Sequence, residues 1–361
     1  MISKACVVGA YQKKLEELAK FGDMEMTLLV PPYWREGGRK IALERLHLSG
    51  YQLLVKPMAL NGHFHLHFYP GLGEEIRRWR PHILHIDEEP YNLATFQAMF
   101  WGQRAGAKAL FFTWQNILRH YPPPFSWMER YNLRRAHYAI SGNQEGEKVL
   151  RTKGFRGPVA VIPQFGVDPE IYKPDQKRRG GVFSLGYIGR LVEEKGVDLL
   201  LTAAAGLRGE WRLRILGDGP QRGRLERLAE ELGLKDRVSF DPPLPSTEMP
   251  EYYRHLDLLV LPSRTCPHWK EQFGRVLIEA MACGVPVVGS NSGEIPHVIG
   301  EAGLIFPEGD PQALREAIEW VIREEGLRAT LVRAGRERVL ERYTQARIAA
   351  ETYKVYGEMT A

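Results

Sequence analysis

Short apolar runs alternate with stretches of helical periodicity along the whole chain, and this alternation constrains the fold more than any other feature. A run too short for a buried helix, repeated with an amphipathic segment between copies, reads as an α/β protein built on parallel sheet. In the first half the expected strands are ACVVG (5–9), MTLLV (26–30), YQLLVK (51–56), HFHLHF (63–68), ILHI (83–86), ALFFT (109–113), YAIS (138–141) and VAVI (159–162). Helices fit between several of them, among them LEELAKF (15–21), LGEEIRRW (72–79) and ATFQAMFWGQRAG (94–106). Ligands of an open parallel sheet sit at the carboxyl ends of its strands, so the tails of these runs are where function is sought.

A chain of 361 residues is long enough for two domains of ordinary size. With 44% apolar and 26% charged residues its composition is that of a globular protein. The net charge of +5 suits an enzyme with anionic ligands, and equally a protein with none. Cys6, Cys266 and Cys283 have neither paired nor metal-ligand spacing, and reduced cytosolic thiols are the simplest account. The opening MISKACVVGA lacks the layout of a signal peptide, and no apolar run reaches the roughly 18 residues of a spanning helix. The expected location is therefore cytoplasmic, with the inner membrane surface as the one alternative. Basic and aromatic residues mix in YPPPFSWMERYNLRR (121–135) and PPYWREGGRK (31–40). Either stretch could touch a lipid surface or a bulky acceptor, although ordinary loops and a solvated helix account for them as well. No nucleic-acid recognition motif accompanies them.

Two strand tails are chemically loaded. HIDEEPY (85–91) places Asp87, Glu88 and Glu89 directly after a buried-type strand, a crowding that hydrogen bonding to acceptor hydroxyls would explain and that acidic capping of the next helix would explain equally. HFHLHFYP (63–70) would put His63, His65 and His67 on one strand face. That face is expected to be a polar sheet surface or acceptor wall rather than a metal site, because no fourth ligand follows at a recognisable spacing.

In the second half, PSRTCPHWKEQFGRVLIEAMACGVPVVGSNSGEIP (262–296) carries the most chemistry. Glu271 precedes a flexible Phe-Gly pair, and Glu279 follows on an apolar run of helical spacing that ends at Gly284. This places Glu271 at a loop-to-helix junction and Glu279 about two turns into the helix, roughly 12 Å along its axis, a span suited to one extended ligand held at two points. Between them the backbone N–H groups of Phe273, Gly274 and Arg275 open the helix, where the dipole favours a phosphate.

The stretch resembles the E-x7-E signature of the retaining glycosyltransferases of family four, which have the GT-B fold of two Rossmann-like domains facing a central cleft. YIGRLVEEKGVDLLL (187–201), LRILGDGP (213–220), DLLVLPS (257–263) and VIPQFGVDPEIYKP (161–174) agree with it, in the family's order. The resemblance implies an acceptor-binding domain over 1–176, a donor domain over 177–361, and a last helix (about 344–359) that returns to the first domain. It carries the family's diphosphate-binding pair onto Arg190 and Lys195, and its close backbone approaches onto Gly189, Gly217 and Asp218. Glu279 would hold the ribose and Glu271 the transferred sugar.

Where the family often has a histidine facing that sugar, this chain has Gln115 followed by Asn116, amides that hydrogen-bond but do not titrate. Where it usually has a Gly-rich loop, GAYQKK (9–14) keeps only Gly9, and Tyr11, Lys13 or Lys14 would line the cleft or merely start a solvated helix. Asp241, Pro242 and Pro243 replace a Gly-containing turn beside the base, which leaves the base open.

The expected activity is transfer of a sugar from a nucleotide-sugar to a sugar, lipid-linked or small-molecule acceptor by same-face substitution, with no metal and no cofactor beyond the co-substrate. A sugar-nucleotide epimerase, a phosphorylase and a non-catalytic sugar-nucleotide-binding protein are the alternatives.

Overall fold

The computed structural model describes residues 1–175 and 181–361. Two compact units divide the chain, one formed by Met1–Gly166 with Gln345–Ala361 and the other by Val167–Thr344. The boundary expected at 176/177 falls on residues outside those described. The division lies earlier because 167–175 belongs to the second unit, where Arg254 and Arg336 donate to the carbonyls of Pro169, Ile171, Tyr172 and Lys173.

In the first unit the strands are β1 (Thr27–Val30), β2 (Tyr33–Glu36), β3 (Arg39–Ala42), β4 (Gln52–Val55), β5 (Ile83–Ile86), β6 (Lys108–Thr113), β7 (Tyr138–Ser141) and β8 (Val159–Val161). β1 pairs parallel with β4, and β5-β6-β7-β8 form a parallel run. Ile2 bridges the two sets, pairing with Leu29 on one side and Ile86 on the other. Side chains alternate across this sheet as the strand pleat requires. Leu110 and Phe112 face a core completed by Leu15, Leu18, Ile348 and Val355 of helices Gly9–Ala19 and Gln345–Thr360. Phe111 faces the opposite core, with Leu72 and Ile76 of Leu72–Trp79 and Met99 of Leu93–Arg104.

Two expected strands are corrected. ACVVG (5–9) is a 3-10 turn, Ala5–Val7, running into the helix that begins at Gly9, and Ile2 takes the sheet position instead. HFHLHF (63–68) folds as successive turns in which the His67 amide donates to His63 O at 3.1 Å, so its three histidines share no strand face. One pair of strands went unread: β2 and β3 form an antiparallel hairpin within the stretch taken for a loop. Gly37 and Gly38, with φ of 55° and 82°, make its two-residue turn, which needs positive φ at both positions.

The second unit holds one parallel sheet of β9 (Phe183–Ile188), β10 (Trp211–Leu216), β11 (Val238–Asp241), β12 (Leu258–Leu261), β13 (Val287–Ser290) and β14 (Leu304–Phe306). Their order is β11-β10-β9-β12-β13-β14. The direction of winding reverses between β9 and β12, and in a doubly wound sheet that reversal opens a crevice at the strands' carboxyl ends.

Candidate functional site

The chain segments that leave β9 and β12 meet beside this reversal. After β9, Gly189 and Arg190 turn into a single 3-10 turn, Glu193–Lys195, ahead of helix Val197–Ala205. The Tyr187 hydroxyl pins the turn by donating to Arg190 O at 2.8 Å. The Arg190 side chain itself is exposed. After β12, Pro262, Ser263 and Arg264 run alongside, and the Arg264 amide donates to Glu194 O at 2.9 Å.

Here Lys195 Nζ lies 2.6 Å from Glu271 Oε2, and Ser263 Oγ donates to the same oxygen at 2.9 Å. Glu271 is only 6% exposed. The Lys195 ammonium also lies 4.7 Å from the Trp269 ring centroid, a cation–π placement that restricts where it can swing. Arg190, Lys195 and Glu271 were expected at this site, whereas Ser263 and Trp269 were not read from the sequence. Ser263 ends the run DLLVLPS, and searching strand tails in the second half as in the first would have found it.

Helix Arg275–Ala282 begins after Gly274, whose φ of 78° turns the chain into it, and no side chain caps it. Glu279 is the fifth residue of this helix, little more than one turn in, rather than two as expected. It is buried, and both its oxygens are engaged: Arg275 Nε donates to Oε1 at 2.6 Å and the Tyr253 hydroxyl to Oε2 at 2.7 Å. Phe273 is a packing residue as to its side chain, its ring 5.7 Å from that of Tyr343. Gly217 brings the segments after β9 and β10 together, since a Cβ there would lie 1.9 Å from Gly189 O. Leu191 N donates to Asp218 O at 2.9 Å in the same contact.

In the first unit the acids of HIDEEPY neither cap the following helix nor stand open to an acceptor. They knit neighbouring strand tails together. Asp87 accepts from Ser3 Oγ at 2.6 Å and Gln164 Nε2 at 2.9 Å, and burial raises its pKa. Glu88 pairs with Lys4, and His67 Nε2 lies 3.5 Å away; burial alone would raise its pKa, but the contacts with Lys4 and His67 bring it down to about 2. Glu89 accepts from Thr113 Oγ1 at 2.6 Å and the Trp114 amide at 2.8 Å, and burial pushes it up to about 7. Lys14, far from starting a solvated helix, is buried with Nζ 3.2 Å from Gln164 O. Tyr11 stacks on Phe165, and Lys13 pairs with Glu16 and Glu17. Gln115 and Asn116 are buried as well, and Gln115 Oε1 accepts from Lys153 at 3.0 Å.

Glu89 carries a stability prediction. Its folded pKa of about 7 lies above the ordinary carboxyl value of 4.5, so the native state binds the proton more tightly than the unfolded chain does. The stabilisation is complete below about pH 4.5 and is lost as pH rises through about 7. Relative to the parent, Glu89→Gln is expected to gain about 1–3 kcal/mol between pH 5 and pH 8. Denaturant titrations of both proteins at the two pH values check this, and parallel pH profiles would contradict it.

Comparison with known proteins adds the following. The model of Glycosyl transferases group 1 matches residues 168–338, and that of the Glycosyl transferase 4-like domain matches 11–164. A D-inositol 3-phosphate glycosyltransferase of Acidothermus cellulolyticus is 36% identical over 198 residues, which is 48% of this chain and 42% of that protein. The GDP-mannose-dependent alpha-(1-6)-phosphatidylinositol monomannoside mannosyltransferase of Mycolicibacterium smegmatis is 32% identical over 205 residues, 52% of this chain and 54% of its own. The chain thus spans about half the length of the curated relatives it matches. Among solved structures, sucrose-phosphate synthase from Thermosynechococcus elongatus aligns with a TM-score of 0.73 at 21% identity, over 97% of this chain and 92% of that one. Anabaena HepE in complex with UDP aligns with a TM-score of 0.76 at 19% identity, over 99% and 98%. These likenesses are of fold, and the fold they share is GT-B.

Proposed function

We propose that the chain, which belongs to the group 1 glycosyltransferases, transfers a sugar from a nucleotide-sugar to an acceptor hydroxyl with retention of configuration. The Lys195–Glu271 pair at the strand-order reversal carries this reading. As the bond from the anomeric carbon to the diphosphate breaks, the sugar ring gains positive charge and the departing oxygen negative charge. A carboxylate and an ammonium 2.6 Å apart, nine-tenths buried on the carboxylate side, present the opposite signs to those two developing charges.

In this reading Lys195, Arg190 and the amides at the start of helix Arg275–Ala282 stabilise the diphosphate. Glu271 lies along the ring and Glu279 accepts from the ribose hydroxyls. No separate base is required, because the departing diphosphate oxygen takes the acceptor's proton. The acceptor oxygen bonds the anomeric carbon on the face the diphosphate leaves. In this reading the acceptor binds the first unit, and the relatives' names point to an inositol phosphate or a lipid-linked glycoside as its class. No helix among the described residues is long and apolar enough to cross a membrane.

Screening nucleotide-sugars for thermal stabilisation and slow hydrolysis tests the proposal. One donor should raise the melting temperature and turn over, while stabilisation without turnover by any of them would favour a binding protein. Turnover is expected to survive EDTA, since side chains take the place of an ion at the diphosphate. Among the described residues no group of three or more His, Cys, Asp or Glu is placed to hold one. Loss of activity with chelator, restored by Mg²⁺ or Mn²⁺, would contradict that.

A further inference from the structure

A cleft of about 740 Å³ lies in the first unit, bordered by Leu118, His120 and Tyr121 of the segment that follows β6. One wall is helix Phe125–Arg135, which supplies Glu129, Arg130 and Arg134. The other is the segment that ends helix Gln144–Thr152 and enters β8, which supplies Lys153 and Arg156. Arg130 and Arg134, four residues apart, share a helix face. Glu129 is the one acid of the lining, and it is already neutralised, with its Oε1 2.5 Å from Lys153 Nζ. Arg130, Arg134 and Arg156 have no carboxylate partner among the described residues. Three guanidinium groups are therefore gathered on one concavity without a counter-charge, an arrangement that repels itself until an anion enters.

The floor is built for such an anion. Lys153 is 7% exposed as to its side chain, held by Glu129 and Gln115 through two of its three N–H donors and lying 5.1 Å from the Tyr121 ring centroid. The volume suits a small phosphorylated molecule. We propose that this cleft binds a phosphate ester of a small polyol or sugar, with Lys153 on its floor and Arg130, Arg134 and Arg156 as the forks that grip the phosphate. A planar membrane surface fits less well, because the buried ammonium lies at the bottom of a concavity. The site is independent of the donor reading, as none of its residues belongs to the second unit.

The test is titration of glycerol 3-phosphate into the full chain, followed by calorimetry or ³¹P line broadening. The parent should bind it, Arg130→Ala/Arg134→Ala and Arg156→Ala should each weaken it at least about tenfold, and Lys195→Ala should leave it unchanged. Arg156 is exposed and outside any helix, so its variant keeps the test valid should the double variant unfold. Vesicles of phosphatidylcholine with phosphatidylglycerol form the second arm. Arginine-dependent cosedimentation without glycerol 3-phosphate binding would overturn the proposal in favour of a lipid surface. Absence of binding in both arms, or loss of binding in Lys195→Ala alone, would overturn it outright.

Discussion

Lys195→Ala is expected to lower kcat/KM by about two to three orders of magnitude, the loss typical when one preorganised cationic donor is removed from a developing negative charge. Stability should fall as well, by about 1–3 kcal/mol, because Glu271 is buried and loses the cation 2.6 Å away. The two effects can be separated. Lys195→Gln keeps a hydrogen-bond donor for Glu271 Oε2 but no charge for a diphosphate. It should melt close to the parent and yet remain as slow as the alanine variant. If Lys195→Gln recovers both melting temperature and turnover, the lysine serves only to hold Glu271.

The second large effect separates the two glutamates. Glu271→Gln keeps the shape of the side chain but removes the negative charge beside the sugar ring. It should lower kcat by about 100-fold while changing KM little, as befits a contact made stronger in the transition state than in the ground state. Glu279 is engaged by Arg275 and Tyr253 on its two oxygens, and Tyr253 is fully buried. An amide can accept from only one of them without turning its NH₂ toward the other. Glu279→Gln is therefore expected to lower stability by about 1–3 kcal/mol and to raise the donor KM about tenfold, with a smaller effect on kcat. Steady-state kinetics with melting curves check both. Equal small effects in the two variants would refute the division of roles.

The residues that meet beside the strand-order reversal were legible as a group because they lie at strand tails in short, ordered motifs. Arg190 and Lys195 follow β9, Glu271 and Glu279 flank the start of one helix, and the glycines mark where segments after adjacent strands touch. What the sequence hid was pairing. Nothing in the spacing of Lys195 and Glu271, or of Tyr253 and Glu279, reveals that each pair is in contact, because contacts across a parallel sheet depend on strand order. The three acids of HIDEEPY were likewise visible as a cluster, yet their partners Ser3, Lys4, His67, Thr113 and Gln164 come from distant tails.

The misread strands have local causes. HFHLHF alternates as a strand should, but Asn61-Gly62 directly before it is a turn signal, and Leu60 and Gly62 indeed take positive φ of 51° and 97°. Cys6 and Val7 are buried without joining the sheet, and a short apolar run does not distinguish these outcomes. The hairpin around Gly37-Gly38 carries a turn signal in its two glycines, but its charged flanks read as a loop.

The most direct test of the donor site is calorimetric titration of the parent, Arg190→Ala and Lys195→Ala with UDP and with GDP. The account predicts that at least one nucleotide binds the parent and that each variant binds it at least about tenfold more weakly. Unchanged affinity in both variants would contradict it.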